Sequence, residues 1–259
     1  GSTVGTIELF LQSEGRGWDS VALLSTAEAY GISLSQSFLE QLEETQISLA
    51  TYQQYLDDTT DVSVELNEIM RSGARVIVVY AFGGYPLVVQ QADDAGLIGE
   101  GYVWFVGPTI TGLSSTYLND DGSVNAEMAN LMRGNLGSVV FLPNEGDRYE
   151  MLLSRWQAAD PAELPGGGPG TIPPVFPALM YDMGFALVLA VDAADKQDLL
   201  DGPIGPEVWT ELIRAVTFDG ATGFVSFDEF GDRPMPVAIQ NLIPGIPGWR
   251  DAAIWELGE

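Results

Sequence analysis

The sequence predicts an α/β fold, a doubly wound and mainly parallel sheet with helices on both faces. The strongest evidence lies in residues 74–109, where two apolar runs, 76–80 and 102–106, flank an amphipathic helical segment. A continuous apolar run this short is typical of a strand buried on both faces, as in a parallel sheet. Strand-like runs at 21–24 and 47–52 alternate with helical patterns, so the first half is predicted to be β-α-β-α-β-α-β.

The helix between the two apolar runs has local signals at both ends. Pro86 suits the first helical turn, because its missing N–H has no partner there. Val88, Ala92 and Ala95 recur at i, i+4 and i+7, which predicts one apolar face. Gly96 is placed for a left-handed C-cap. The loops that follow the two strands, 81–84 and 107–111, are therefore expected at the carboxyl edge of the sheet, where open α/β folds bind ligands.

The remaining elements follow from similar patterns. Apolar residues at helical spacing predict helices over 34–42 and 62–70, the second with Asp61 as its N-cap. Residues 136–142 are a predicted strand, 149–156 a helix and 160–177 a Gly- and Pro-rich crossing. Residues 181–194 form a predicted helix that is apolar nearly all round, so we expect other parts of the protein to cover most of its sides. A helix from Pro206 and strands at 224–227, 237–242 and 252–257 complete the chain.

Composition excludes several classes of function. The 259 residues contain no histidine and no cysteine, which removes thiol catalysis, Ser-His machinery and imidazole or thiolate metal sites. The net charge of −27 repels nucleic acid and anionic lipid, so neither is an expected partner, whereas cationic ligands or a saline medium suit the chain better. Residues 119–122 lack the spacing of a calcium-binding EF-hand loop. No apolar run predicts a membrane span, and we expect no cofactor.

Several segments form an ordered set: 18–24 with 29–31, 74–79, 92–97, 102–104, 181–182, and 218–228 with the Gly-Asp-Arg of 231–233. Together they resemble the type I periplasmic-binding-protein-like receptor ligand-binding region. That family includes natriuretic-peptide, class C and ionotropic glutamate receptor ectodomains and the bacterial branched-chain amino acid binding proteins.

The resemblance implies a ligand-sensing module that closes two α/β lobes around a small molecule, or uses the same fold for assembly. The family builds most of its first lobe before the segment corresponding to Trp18, so this chain resembles a second lobe with partial return segments. We expect 1–17 to be a lead-in helix (Ile7, Phe10, Leu11) with an expression scar, and 18–159 the second-lobe domain. Residues 160–177 are then the crossing and 178–259 the return segments. A homo-oligomer formed through the exposed lobe surface is expected, and the resemblance implies an extracellular or periplasmic location.

Ligand-binding candidates carry over from the family position by position. Tyr30 matches a cleft-lining tyrosine, and Thr109 falls where amino-acid-binding members place an acidic residue against the ligand's ammonium. Because a neutral hydroxyl cannot pair with an ammonium as a carboxylate does, binding of an ordinary α-amino acid is in doubt. The full predicted set is Ser25, Thr26, Glu28, Tyr30, Phe82, Gly83, Tyr85 and Thr109.

Alternative interpretations remain open from sequence. Tyr30 either stacks on a ligand or covers a strand end, and Glu28 is either a contact or a solvated charge. Gly83 either lets the backbone approach a ligand or forms a tight turn. For the whole chain, the main hypothesis is a non-enzymatic ligand-binding domain. The alternatives are an assembly domain of the same fold and a carboxylate-based hydrolase using the acidic residues of 228–232.

Overall fold

The computed structural model describes residues 4–7, 19–113, 116–119, 123–164, 166–243 and 248–255. They divide into two compact units. The sheet unit is Gly1–Val139 with Val237–Glu256, and the helical unit is Val140–Pro236. The sequence-based boundaries at 17/18, 159/160 and 177/178 remain predictions of domain organisation, and most of the predicted lead-in helix lies outside the described residues, of which 4–7 are helical.

The elements in chain order are β1 (Ser20–Thr26), α1 (Ala29–Leu42), β2 (Ser48–Tyr55), α2 (Ser63–Ser72), β3 (Val76–Tyr80), α3 (Tyr85–Asp94), β4 (Val103–Val106), α4 (Ala126–Leu131), β5 (Leu136–Val140), α5 (Asp147–Ala158), α6 (Val175–Lys196), α7 (Pro206–Arg214), β6 (Phe218–Gly220), β7 (Gly223–Val225), β8 (Val237–Leu242) and β9 (Trp249–Trp255).

The sheet unit is built on one seven-stranded sheet in the order β2-β1-β3-β4-β5-β8-β9. Strands β1 to β5 pair in parallel, and β8 and β9 pair antiparallel. The chain moves from β1 outward to β2, then crosses back to β3 on the other side of β1. The strand order therefore reverses between β1 and β3, which is the arrangement the alternating sequence pattern predicts. The predicted fold class is confirmed.

Two hydrophobic cores cover the two faces of this sheet. Alternate strand residues such as Ala22, Ile77 and Val79 belong to the core that also includes α2 and α3. Their neighbours, such as Leu23 and Val78, belong to the core formed with α1. Both sets are fully buried because parallel strands carry helices on both sides. The continuous apolar runs of the sequence are the direct result.

The helical unit contains α5, α6, α7 and the β6–β7 hairpin. Ala186, Ala190 and Ala194 form one side of α6 and share a buried cluster with Leu212 and Val216. Among the described residues, α6 is the helix whose length and composition alone would allow it to cross a membrane. Of its apolar stretch, 22% is buried among the described residues.

Some element boundaries differ from those predicted, for local reasons. Helix α6 begins at Val175 because Pro177, which was expected in the crossing, falls in its first turn, where proline is tolerated. Strand β2 runs on to Tyr55. Strand β6 was not predicted, since three residues are too few for a periodicity. Asp61 is not the N-cap of α2, which is Val62, although its carboxylate accepts the Ser63 N–H at 2.9 Å.

Candidate functional site

The loops that follow β1 and β3 meet at the carboxyl edge of the sheet, on either side of the point where strand order reverses. The two strands pair in register from Val21 with Val76 to Ser25 with Tyr80, so the segments that follow them leave the sheet at the same level. Strand β4 pairs with β3 and adds its own loop beside them. In doubly wound sheets this reversal opens a crevice, and ligands bind there.

Three of the predicted residues come together at this edge. The Tyr30 and Phe82 rings meet edge to face, with centroids 5.9 Å apart and planes 73° apart. The Thr109 hydroxyl hydrogen-bonds the Tyr30 hydroxyl at 3.1 Å and the Ala81 carbonyl oxygen at 2.5 Å. Phe82 remains 67% exposed. The first turn of α1 and the loops after β3 and β4 thus form one connected group with an aromatic surface open to solvent, which we call the aromatic edge (Tyr30, Phe82 and Thr109).

Tyr30 is uncharged at neutral pH. Burial raises the pKa of its phenol and outweighs the hydrogen bonds with Thr109, which lower the pKa; the negative charge of Glu28, the smallest of these effects, raises it further. At neutral pH the Tyr30 hydroxyl can therefore both donate and accept hydrogen bonds. This suits recognition of a polar ligand group and gives no support for a nucleophilic role.

Thr26 and Glu28 lie beside the aromatic edge and depend on each other. Thr26 is fully buried at the end of β1, and its hydroxyl donates to the Glu28 carboxylate. Glu28 occupies the N-cap position of α1, but its side chain does not cap the helix. A buried hydroxyl therefore orients this carboxylate, which is more constrained than the solvated loop charge considered from sequence.

Two further residues reach the edge from β2 and were missed in the sequence. Tyr55, 4% exposed, donates from its hydroxyl to the Gly83 carbonyl oxygen at 3.4 Å. A Cβ placed on Gly83 would lie 3.0 Å from an Asp57 carboxylate oxygen, so Asp57 also borders this loop. Sequence analysis ended this strand at residue 52, whereas β2 continues to Tyr55. A longer predicted strand would have placed Tyr55 and Asp57 at its carboxyl end.

The structure does not bring Ser25 and Tyr85 to the exposed group. Ser25 is fully buried, and its hydroxyl lies 3.1 Å from the Tyr52 hydroxyl. Tyr85, in the first turn of α3, is 1% exposed, and its hydroxyl accepts a 2.6 Å hydrogen bond from the Asn135 amide. Both side chains are buried beneath the loops, so they are not available to contact a ligand.

The acidic residues of the hydrolase alternative form a turn. The Asp228 carboxylate accepts the N–H groups of Phe230 and Asp232, each at 2.9 Å. These bonds fix the backbone conformation and occupy one carboxylate oxygen. Within the described part of the chain, no group of three or more Asp, Glu, His or Cys residues could hold a metal ion.

Two of the sequence motifs, Tyr-Asp at 181–182 and Gly-Asp-Arg at 231–233, supply buried polar contacts in the helical unit. The Asp182 carboxylate, 2% exposed, accepts the N–H groups of Ala221 and Thr222 at 2.7 and 2.9 Å. It also accepts the Thr222 hydroxyl at 2.5 Å, and Arg233 lies 3.7 Å away. The Arg233 guanidinium donates to the Thr222 hydroxyl and to the Thr222 carbonyl oxygen. These contacts join α6 to the β6–β7 hairpin, which accounts for the Tyr-Asp and Gly-Asp-Arg motifs.

Comparisons with known proteins agree with this architecture. Residues 14–245 match the receptor family ligand binding region. Glutamate receptor 2.1 of Arabidopsis thaliana is 26% identical over 262 residues, which cover 92% of this chain and 27% of that protein. A leucine-, isoleucine-, valine-, threonine- and alanine-binding protein of Pseudomonas aeruginosa is 23% identical over 217 residues, covering 82% of this chain and 50% of that protein. The chain thus spans half or less of the length of these relatives.

Among solved structures, the leucine-binding protein LivK from Thermotoga maritima superposes with a TM-score of 0.70 at 18% identity. The match covers 98% of this chain and 65% of that one. At this level of identity the likeness shows the fold alone.

Proposed function

Because the chain belongs to the receptor family ligand binding region, we propose that it binds a small molecule at the aromatic edge. The observation that carries this proposal is the meeting of Tyr30, Phe82 and Thr109 at the reversal of strand order, with Phe82 left open to solvent. Exposed aromatic side chains on loops above a rigid sheet are typical of recognition sites. Glu28, Thr26 and Gly83 complete the proposed contact set.

The proposed role is binding without catalysis. The chain lacks the histidine and cysteine of common nucleophilic sites, and the acidic turn at Asp228 is held by its own backbone bonds. The relatives named as glutamate receptors and as an amino-acid-binding protein support a small organic molecule of about amino-acid size as the ligand class. They also support an extracellular or periplasmic location for this domain.

A thermal-shift screen of amino acids, amines, small carboxylates and nucleosides, followed by calorimetry on the hits, tests the proposal. We expect at least one compound to raise the melting temperature, and Phe82→Ala to weaken its binding about tenfold through loss of the exposed ring contact. Phe230→Ala is the matched control, because Phe230 is also a largely exposed phenyl, 74% accessible, in the helical unit. Flat melting curves throughout, or equal losses in both variants, would contradict the proposal.

A second candidate function, assembly, is favoured by the outward side of α6. Five of its exposed apolar residues follow a 4-3-4-4 spacing, Phe176, Met180, Met183, Leu187 and Val191, and Val188 lies beside them. Asp182, the charged residue within this span, is buried and bonded inside the unit. Such spacing is typical of a helix–helix seam. In a chain of net charge −27, an uncharged stripe is the surface on which two copies can meet with least repulsion.

We propose that a second copy of this chain covers this stripe in a two-fold pair, α6 against α6. A stable interface buries about 800 Å² per partner, and α6, with 22 residues, is about 33 Å long, enough to form its centre. Sedimentation velocity should show a dimer at micromolar concentration that Leu187→Glu converts to a monomer. Met70→Glu, at a similarly exposed position on α2, is the control. A wild-type chain that stays monomeric at all concentrations would contradict the assembly role.

A further inference from the structure

The aromatic edge has a charge pattern that restricts its ligand. Glu28 and Asp57 approach it from the loops after β1 and β2. Glu28 accepts the hydroxyl of Thr26 at the end of β1, and Asp57 borders the loop after β3, where a Cβ on Gly83 would lie 3.0 Å from its carboxylate oxygen. Burial first, then the charge of Asp57 and that of Glu28, raise the pKa of the Tyr55 phenol. The ion pairs among the described residues join Arg71 to Glu68, Lys196 to Asp192 and Arg233 to Asp182, so neither Glu28 nor Asp57 has a cationic partner there.

The Glu28 carboxylate is held in place at the edge. The carboxylate accepts a hydrogen bond from the hydroxyl of Thr26, which is fully buried. The first turn of α1 packs tightly on Thr26, because a Cβ on Gly31 would lie 2.7 Å from the Thr26 hydroxyl. The helix amides do not use the carboxylate, because the N-cap side chain makes no capping bond. A negative charge that is fixed beside an open site is suited to pair with a ligand cation.

The neighbouring rings favour the same ligand charge. An organic ammonium group is attracted to the face of an aromatic ring, at about 0.5–2 kcal/mol depending on its desolvation. Phe82 is 67% exposed and therefore accessible to such a group, and the Tyr30 ring lies 5.9 Å from it, centroid to centroid. No described ion pair or cation contact brings an Arg or Lys to these loops: Arg75 precedes β3, at the strand end opposite to Phe82, and stacks on Tyr102, 4.5 Å from the ring centroid.

We propose that the ligand of this edge is an organic amine cation that carries no carboxylate of its own. Its ammonium pairs with Glu28, its apolar part covers Phe82, and Asp57 adds to the negative field. This inference rests on the proposed function. The negative charges that pair with the ligand are then those of Glu28, after β1, and Asp57, after β2. Thr109, in the loop after β4, is a neutral hydrogen-bonding group.

Calorimetry with three matched probes and choline tests the inference. The probes are 3-methylbutylamine, leucine, which carries the same side chain with a carboxylate added, and 4-methylpentanoate, which keeps the carboxylate without the amine. We expect the amine to bind at least tenfold more tightly than leucine, the carboxylate not to bind, and choline to compete with the amine. The affinity for the amine should fall as salt is raised, because an ion pair at an open edge is screened.

Two charge-neutralising variants complete the test. Glu28→Gln should weaken amine binding at least tenfold and Asp57→Asn by less, whereas Glu43→Gln, exposed at the far end of α1, removes one charge without effect. Melting curves confirm that each variant folds. Leucine binding as tightly as the amine, or no loss in Glu28→Gln, would overturn the amine assignment while the binding function stands. If none of the probes binds but another small molecule does, the assignment also fails; if no small molecule binds, both proposals fail.

Discussion

A single hydrogen atom at Gly31 allows α1 to follow β1 as closely as it does. A Cβ at this position would lie 2.2 Å from the Thr26 carbonyl oxygen, closer than any nonbonded contact that a folded chain tolerates. The clash is with backbone at a buried strand end, which cannot move aside easily. At the same strand end, the Thr26 hydroxyl donates to the Glu28 carboxylate beside the aromatic edge.

Gly31→Ala is therefore expected to destabilise the protein by about 1–3 kcal/mol, as overpacking in a core does. Gly184→Ala is the control: it adds the same methyl group to a helix where nothing lies within 4 Å, and it should stabilise by up to about 1 kcal/mol. Urea unfolding followed by circular dichroism measures both. Gly31→Ala with wild-type stability would show that this contact does not restrain α1.

At the level of single residues, the sequence allowed part of the edge to be predicted. Tyr30, Phe82 and Thr109 were carried over from the resemblance to the receptor family, and the strong patterning of the strands before them placed all three at one edge of the sheet. Tyr55 and Asp57 were not, since β2 is partly exposed along its length and its apolar alternation fades before the strand ends. Ser25 and Tyr85 could not be separated from the contacting residues, because burial at a strand end depends on neighbouring elements such as Asn135, 50 residues away.

At the level of elements, α6 and the β6–β7 hairpin depend on one buried carboxylate. Asp182 satisfies two buried backbone N–H groups and the Thr222 hydroxyl, and lies 3.7 Å from Arg233. Burial lowers the pKa of Arg233, whereas the charge of Asp182 opposes that effect. Removing the acid leaves donors and a partly buried cation without their partner, which is more costly than the loss of one bond.

Asp182→Ala is expected to cost about 3–5 kcal/mol, the range for breaking a buried ion pair from one side. The matched control is Asp192→Ala, ten residues along the same helix, whose pair with Lys196 is exposed and should be worth less than about 1 kcal/mol. Amide hydrogen exchange should show the loss of protection in residues 175–225. If both variants exchange alike, the buried network contributes no more than an exposed pair.

The elements themselves were predicted with unequal success. The βαβ unit of β3, α3 and β4 was predictable in type and order because continuous apolar runs and end signals agree there. The start of α6 was not, since Pro173, Pro174 and Pro177 are typical of a linker until the first helical turn is known to include the last of them. A strand was predicted at 224–227 and overlaps β7, but its three-residue partner β6 was missed, since the turn between them is held by Asp182, which a local pattern does not contain.

At the level of the whole molecule, the absence of histidine and cysteine gives an unusual pH response. No side chain in the sequence has an ordinary pKa between 6 and 9. Stability is therefore expected to be flat across that interval. Above it, the phenols of Tyr30, Tyr55 and Tyr85 become important, because burial is the largest cause of a raised pKa in each.

The direction of the alkaline effect follows from linkage. A phenol with a raised pKa favours the folded state while both states are protonated, so its contribution is fully present below the ordinary value of 10.0 and is lost as pH rises through the folded-state pKa. We expect urea midpoints to stay level from pH 6 to 9 and to fall steeply above about pH 10. A transition within pH 6–9 would contradict this expectation.

The central claim, that ligand binds at the aromatic edge, is tested most directly by hydrogen-exchange mass spectrometry with and without a ligand that calorimetry has shown to bind. Peptides covering 25–31, 81–85 and 107–111 should gain protection together, because those loops meet at Tyr30, Phe82 and Thr109. Protection confined to residues 175–196, with these loops unchanged at saturating ligand, would contradict the claim.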